Sequence, residues 1–258
     1  MRSLISRLFR KKTGIMAVPP DPKPYDLPLT PELRFAAIGD VHGNDSLLAA
    51  LLDRLEAEEP GLPHLYLGDV IDRGPDSAGV LRRLMALQDN AAFLRGNHET
   101  MMLDFLDDPA GRGGNWLING GTATLESFGI AAPDPRADLE ELDAASAALH
   151  RALGPDMITW LRDWPVWLGS GNIVCAHAGF DPTRHPTDQS ERAPVWGDPA
   201  FLKAARSDDL WIVHGHWITP DPRPGNSRIP VDTGAYATGI LTAAVIEPGR
   251  MRYISVGP

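Results

Sequence analysis

Five polar clusters in this chain each close a short apolar run. They are Gly39-Asp40-Val41-His42-Gly43, Gly68-Asp69 with Asp72-Arg73, Gly96-Asn97-His98-Glu99, His177-Ala178-Gly179 and His214-Gly215-His216. The set combines carboxylate, imidazole and carboxamide groups and holds no thiolate, because the single cysteine, Cys175, falls inside an apolar run and reads as a small core residue. Oxygen and nitrogen donors of this kind suit a hard or borderline divalent metal such as Mn, Fe or Zn rather than a closed structural zinc cage. The donors outnumber what one ion with an open position needs. Two ions roughly 3.5–4 Å apart that share one carboxylate would use them all. Taken singly, a Gly-Asp after a strand is a turn and a lone buried histidine is a hydrogen-bonded core residue; only the accumulation points to a site.

The elements that must present these groups are legible in the flanking residues. "RFAAIGD", "HLYLGD", "AAFLRGN", "NIVCAHAG" and "LWIVHGH" are apolar runs of strand length with little alternation, as expected of strands buried on both faces. In open α/β sheets, ligands bind outside the carboxyl ends of strands, which is where every cluster falls. Helical spacing follows the first three runs. Leu48, Leu51, Leu52 and Leu55 come after the candidate cap Asn44-Asp45-Ser46; Val80, Leu81, Leu84 and Leu87 come after Pro75-Asp76-Ser77; and "HETMMLDFL" opens a third helix. Residues 111–165 read as a mostly helical insertion, and "RIPVDTG", "ILTAAVIE" and "MRYISV" as further strands. The expected fold is an α/β sandwich of mixed β-sheets flanked by helices, formed as a single domain by residues 34–258.

Bulk properties narrow the function. A net charge of −10 over 258 residues argues against a nucleic-acid partner. One cysteine excludes an internal disulfide framework and is compatible with a reducing cytoplasm. No run approaches the roughly 20 apolar residues of an integral membrane segment. The start, "MRSLISRLFRKK", sets Leu4, Ile5, Leu8 and Phe9 among five basic residues. It reads either as a weak membrane-surface contact through residues 1–12 or as a frayed tail, and "VPPDPKPYDLPLTPE" continues it as an extended linker, so that residues 1–33 are expected to be flexible. Oligomeric state is left open.

"GDVHG" (39–43), "GDVIDRG" (68–74), "GNHE" (96–99), "HAG" (177–179) and "HGH" (214–216) occur in the order and spacing of the calcineurin-like metallophosphoesterase superfamily, and the chain most resembles bacterial and phage-type PPP serine/threonine protein phosphatases. "WLINGGTATLESFG" and "DTGAYATGILTA" are similar to secondary motifs of the same group. The resemblance implies a first metal on Asp40, His42 and Asp69, and a second on Asp69, Asn97, His177 and His216, with Mn foremost and Fe or Zn as alternatives. It implies in-line attack on phosphorus by water ionised between the ions. His98 would protonate the leaving oxygen, oriented by Asp72, while Arg73 and Asn97 face the phosphate. His214 reads as packing or support for its neighbour.

Three departures matter. The family's second phosphate-gripping arginine is replaced by Asp198, which reads as a cap for "PAFLKAAR"; Arg184, Arg192 and Arg206 are candidate substitutes. The symmetrical diadenosine tetraphosphatase branch typically has Ala where Asp72 stands and Asp where Glu99 stands, which favours a phosphorylated protein or small phosphomonoester as substrate. "GHW" at 215–217 leans toward the nucleotide branch instead. A catalytically dead phosphoprotein-binding scaffold is the non-enzymatic alternative, and the complete ligand set argues against it.

Overall fold

The computed structural model describes residues 27–258. The basic segment 1–12 and most of the proline-rich stretch lie outside the described residues. Two sheets are built as expected from the five apolar runs. In the first, β1 (Phe35–Ile38), β2 (His64–Tyr66) and β3 (Ala91–Phe93) run parallel, and β8 (Leu241–Glu247) with β9 (Arg250–Val256) extends the sheet antiparallel in the order β3-β2-β1-β8-β9. In the second, β5 (Ile173–Ala176), β6 (Trp211–His214) and β7 (Arg228–Pro230) are parallel, with β4 (Trp167–Ser170) antiparallel at the edge. No apolar run anticipated β4.

Register explains why the clusters converge. Ile38 pairs with Tyr66 and Tyr66 with Phe93, so β1, β2 and β3 end level. Ala176 pairs with His214 and His214 with Pro230, so β5, β6 and β7 do the same. The two level edges are stitched together where His177 Nδ1 donates to the Leu67 carbonyl at 3.0 Å. Alternate residues of each strand face alternate layers. Phe35, Ala37, Leu65, Ile173, Cys175, Val213 and Ala244 fill the space between the sheets, whereas Ala36, Ile38 and Tyr66 face the helices. Full burial of such side chains contributes roughly 1.5–3 kcal/mol each for the larger ones, so both faces of the central strands resist substitution.

Three helices follow the first three strands: α1 (Asp45–Glu58), α2 (Ser77–Ala86) and α3 (Asn97–Asp107). Asp76 caps α2 by accepting the Gly79 N–H at 2.7 Å. Asn44 holds the corresponding position before α1, but its amide donates back to the carbonyls of Val41 and His42, both at 2.8 Å. It secures the turn after β1 rather than the helix. Between positions 109 and 162 lie α4 (Pro109–Trp116), a π-helical turn (Leu117–Gly121), α5 (Thr122–Ser127) and α6 (Leu139–Arg162), the last kinked where Gly154 adopts φ 73° before Pro155. No described helix is long and apolar enough to cross a membrane.

The end of the expected linker is docked. Trp211 Nε1 donates to the Leu27 carbonyl, Asn172 bridges Pro28 and Thr30, and Leu29 is buried in the inter-sheet core. Proline density alone does not show this, because the anchoring partners lie more than a hundred residues away.

Candidate active site

Strand-to-helix corners place the polar groups, and the backbone there is unusual. Seven non-glycine residues among those described have left-handed φ, and five are His42, Asp69, Asp72, Arg73 and His216. Such conformations cost free energy and persist where surrounding bonds over-determine them, so strain is concentrated at the site. Glycines at two close approaches make this packing possible. A Cβ on Gly96 would come within 2.2 Å of Asp69 Oδ1, and one on Gly215 within 2.1 Å of Asp40 Oδ1.

Two groups of potential ligands share Asp69. One joins His42, Asp69 and His98; the other joins Asp69, His177 and His216. In the second, His177 Nε2 lies 3.2 Å from Asp69 Oδ2, 2.9 Å from Asn97 Oδ1 and 3.1 Å from His216 Nδ1. The bond to Leu67 assigns the His177 proton to Nδ1, so the Nε2 lone pair meets two further acceptors, Asp69 Oδ2 and Asn97 Oδ1. Such a meeting needs a cation. A proton on His177 meets the demand in part. Burial opposes the charged ring, but Asp69 and Asp40 outweigh it and hold His177 up to about 10. A divalent ion supplies more charge to the same atoms.

In the first group, His42 Nδ1 donates to the Ile71 carbonyl at 2.8 Å, leaving Nε2 as a lone pair toward the centre. Burial pushes His42 down to about 3 and His216 down to about 4, so both rings are in the neutral, metal-binding form. Asp40 falls in neither group. Its carboxylate accepts the His216 N–H at 3.1 and 3.2 Å and stands 3.9 Å from His177 Nδ1. Burial and the Asp232 charge push Asp40 well above the usual carboxylate range, and burial lifts Asp232 to about 6. Three buried carboxylates, Asp40, Asp69 and Asp232, thus crowd the place where the two sheet edges meet, which is a second expression of cation demand. The donor set fits a divalent metal pair.

His98 and Asp72 form the most constrained contact. His98 Nδ1 is 2.7 Å from Asp72 Oδ2, and both side chains are buried. Trp116 Nε1 donates to the same oxygen at 2.9 Å, and Thr124 Oγ1 donates to Asp72 Oδ1 at 2.6 Å. The Asp72 backbone N–H is in turn 3.0 Å from Ser77 Oγ and from Thr124 Oγ1. Burial works against a charged His98, but Asp69 and Asp72 prevail and hold its pKa above the ordinary histidine value. The other ring nitrogen, Nε2, faces Asp69 Oδ2 at 3.8 Å.

Glu99 does a different job. Fully buried, it accepts the N–H groups of Asp69, Val70 and Gly96 at 2.8–2.9 Å and so ties the turn of the bridging aspartate to the start of α3. Burial and the Asp69 charge raise it to about 7.

Arg73 reaches His42 Nε2 at 3.1 Å, and its guanidinium lies 4.6 Å from the ring centre of Tyr236, which is 41% exposed. Asp198 accepts the Ala200 N–H at 2.8 Å and opens a short turn where a helix was expected. Among the candidate substitute arginines, Arg206 is buried and held by Asp208, Arg184 bonds the Asp188 carbonyl, and Arg192 lies over Trp196. His214 donates to the Gly215 carbonyl at 3.0 Å and packs edge-on against Phe201, outside both ligand groups. Trp116, Thr124, Asp232 and Tyr236 were not anticipated as site residues. Their only signal was membership of the two secondary motifs.

Comparison with known proteins agrees with this geometry. The family model for calcineurin-like phosphoesterases matches residues 33–238. The symmetrical bis(5'-nucleosyl)-tetraphosphatase of Janthinobacterium sp. (strain Marseille) is 27% identical over 146 residues, covering 57% of this chain but 43% of its own length. The asymmetrical bis(5'-nucleosyl)-tetraphosphatase PrpE of Bacillus subtilis (strain 168) is 25% identical over 236 residues, covering 81% of this chain and 89% of its own. This chain therefore spans less than half the length of the first symmetrical relatives it matches. A cold-active protein-tyrosine phosphatase from a psychrophilic Shewanella shares the fold, with a TM-score of 0.55, 17% identity and coverage of 87% of this chain and 82% of that one. With four-fifths of its length under one family model and the ligand-bearing strand ends in place, the chain belongs to the calcineurin-like phosphoesterases, a family of metal-dependent hydrolases.

Proposed function

We propose that this chain hydrolyses bis(5'-nucleosyl) tetraphosphates, cleaving them asymmetrically. The observation that carries the hydrolytic reading is the His98–Asp72 pair standing beside two ligand groups that share Asp69. Asp40, His42 and Asp69 would hold one ion, and Asp69, Asn97, His177 and His216 the other, with Mn as the first metal to test. Bound there, the metals would lower the pKa of water and neutralise charge on phosphate oxygens. The chain's own residues do the rest. Arg73 offers a planar fork to the phosphate. His98 Nε2 delivers a proton to the leaving oxygen while Nδ1 stays tied to Asp72. Glu99 keeps Asp69 in its strained turn.

The nucleotide substrate displaces the protein-phosphatase reading of the motifs for two reasons. The two relatives described above are bis(5'-nucleosyl)-tetraphosphatases, and the asymmetrical one matches over 81% of this chain and 89% of its own. The exposed ring of Tyr236 beside Arg73 also offers a flat surface next to the phosphate grip. One observation favours a phosphomonoester on a protein instead. An acid as firmly held as His98 matters most when the leaving oxygen is strongly basic, as a serine alkoxide is and a nucleotide phosphate is not. Product analysis on the Mn-loaded enzyme separates the readings. Diadenosine tetraphosphate should yield ATP and AMP in equal amounts, with kcat/KM at least about tenfold above a phosphoserine peptide. Production of ADP alone would overturn asymmetry, and preference for the peptide would overturn the nucleotide reading.

A further inference from the structure

The π-helical turn and α5 grip the Asp72–Arg73 turn from the side of the helical insertion. The Gly120 carbonyl accepts the Arg73 N–H at 3.2 Å, and Thr124 of α5 meets Asp72 twice. Thr124 Oγ1 receives the Asp72 backbone N–H at 3.0 Å and gives its own proton to Asp72 Oδ1 at 2.6 Å. One hydroxyl therefore holds both the main chain and the carboxylate of a residue whose φ is 72°. A left-handed non-glycine residue persists only where such bonds over-determine it. Ser127 seats the same helix by accepting the Ala78 N–H at 3.1 Å, in the first turn of α2.

The proton positions in this cluster follow from the groups themselves. An ionised carboxylate only accepts, so the single proton of the Thr124 hydroxyl is spent on Asp72 Oδ1. Ser77 Oγ lies 2.9 Å from Thr124 Oγ1, and Ser77 is then the donor in that contact. The chain runs one way, from Ser77 to Thr124 to Asp72, and the other carboxylate oxygen faces His98 Nδ1 at 2.7 Å. Ser77, Thr124 and Asp72 are all fully buried, where bonds to a charged acceptor are at their strongest. The Asp72 carboxylate turns about one bond, so pinning Oδ1 aims Oδ2. We infer that Thr124 is a positioning residue for hydrolysis: its hydroxyl, directed by Ser77, sets the plane of the Asp72 carboxylate so that Oδ2 orients His98. The inference rests on the reading of His98 as the proton donor.

Thr124→Val keeps the bulk of the side chain and removes the hydroxyl. Paired kinetics on a phosphoserine peptide and an aryl phosphate read the result, because the alkoxide leaving oxygen needs the acid far more than the aryl oxide does. In Thr124→Val, kcat on the peptide should fall by about tenfold or more, with KM and the aryl rate changed by less than about threefold. Thr124→Ser should return the peptide rate to within about threefold of the wild type. A hydroxyl with a purely structural role would lower both rates together. Independently of turnover, NMR spectra of the full chain prepared without paramagnetic metal should show the downfield imidazole N–H resonance that His98→Asn abolishes, and Thr124→Val should move it. Where the peptide is not turned over, that resonance decides. If Thr124→Val fails to fold, Ser77→Ala takes its place, with a loss of about threefold expected on the peptide alone. Equal losses on the two substrates, or an unmoved resonance, overturn the inference alone when His98→Asn still discriminates between the substrates. Equal losses in His98→Asn remove the proton donor itself, and the inference falls with it.

Discussion

Asp72 and Arg73 are neighbours in one turn, both with left-handed φ, and the protein treats them in opposite ways. Asp72 is fully buried, and its two oxygens receive Trp116, Thr124 and His98. Arg73 extends to the edge of the site, where its neighbours are one histidine lone pair and one half-exposed ring. The proposed proton donor is thus set before substrate arrives, whereas the proposed phosphate grip would complete its contacts on binding. Preorganisation of this kind favours the chemical step, and an adaptable rim leaves room for substrate choice. A missing second arginine sharpens the contrast, since Asp198 spends its carboxylate on a local turn.

The largest break in the comparison should come from the acid itself. His98→Asn is expected to lower kcat by roughly 10²–10⁴-fold on a substrate with a basic leaving oxygen, and by less on an aryl phosphate with a good leaving group. Steady-state kinetics on an alkyl and an aryl phosphate would check this; equal losses on both would remove His98 from proton donation. Next in size is Asp72→Asn. Asp72 helps hold His98 above the ordinary histidine value, so the wild-type acid stays protonated past a pH of about 6.5 and activity falls only as pH rises through the elevated pKa. Removing the carboxylate should move that alkaline limb to lower pH, visible in a kcat-against-pH profile. An unmoved limb would break the link.

Smaller effects lie farther out. Trp116→Phe takes one N–H from Asp72 and leaves a charged acceptor short of a bond, which should cost about 1–3 kcal/mol in a denaturant melt and shift the alkaline limb as well. Tyr236→Ala should act on the opposite partner. KM should rise by a few-fold with kcat and melting temperature little changed, because the ring supports Arg73 and not the acid. If Tyr236→Ala instead moves the pH limb, the two halves of the turn are not separable.

Much of the candidate site was legible in the sequence because its candidate ligands sit at strand ends, and strand ends are marked by the switch from apolar runs to Gly-polar clusters. All five runs formed strands, and their level registers brought Asp69, Asn97, His177 and His216 together. The hidden part depends on contacts distant in sequence. Trp116 and Thr124 lie 44 and 52 residues from Asp72, and no local spacing pairs them. Glu99 was readable as a motif letter, but its work is to accept three backbone N–H groups from two different corners, which only the folded chain shows. The strand β4 escaped notice because Trp167–Ser170 is an edge strand with partial burial and a glycine inside it, so it lacks the apolar continuity of the central strands. The choice of substrate escaped for another reason: the motifs describe phosphoryl chemistry, which both branches of the family share.

Asp69 is the carboxylate common to both groups of potential ligands, and a shared dinuclear centre depends on it. Metal content measured on the purified wild type and on Asp69→Asn, alongside Mn-dependent hydrolysis of diadenosine tetraphosphate, tests that directly. Two divalent ions per wild-type chain, and loss of both bound metal and turnover in Asp69→Asn with the fold intact, is the result predicted. An Asp69→Asn protein that still binds two ions and hydrolyses the substrate at the wild-type rate would contradict it.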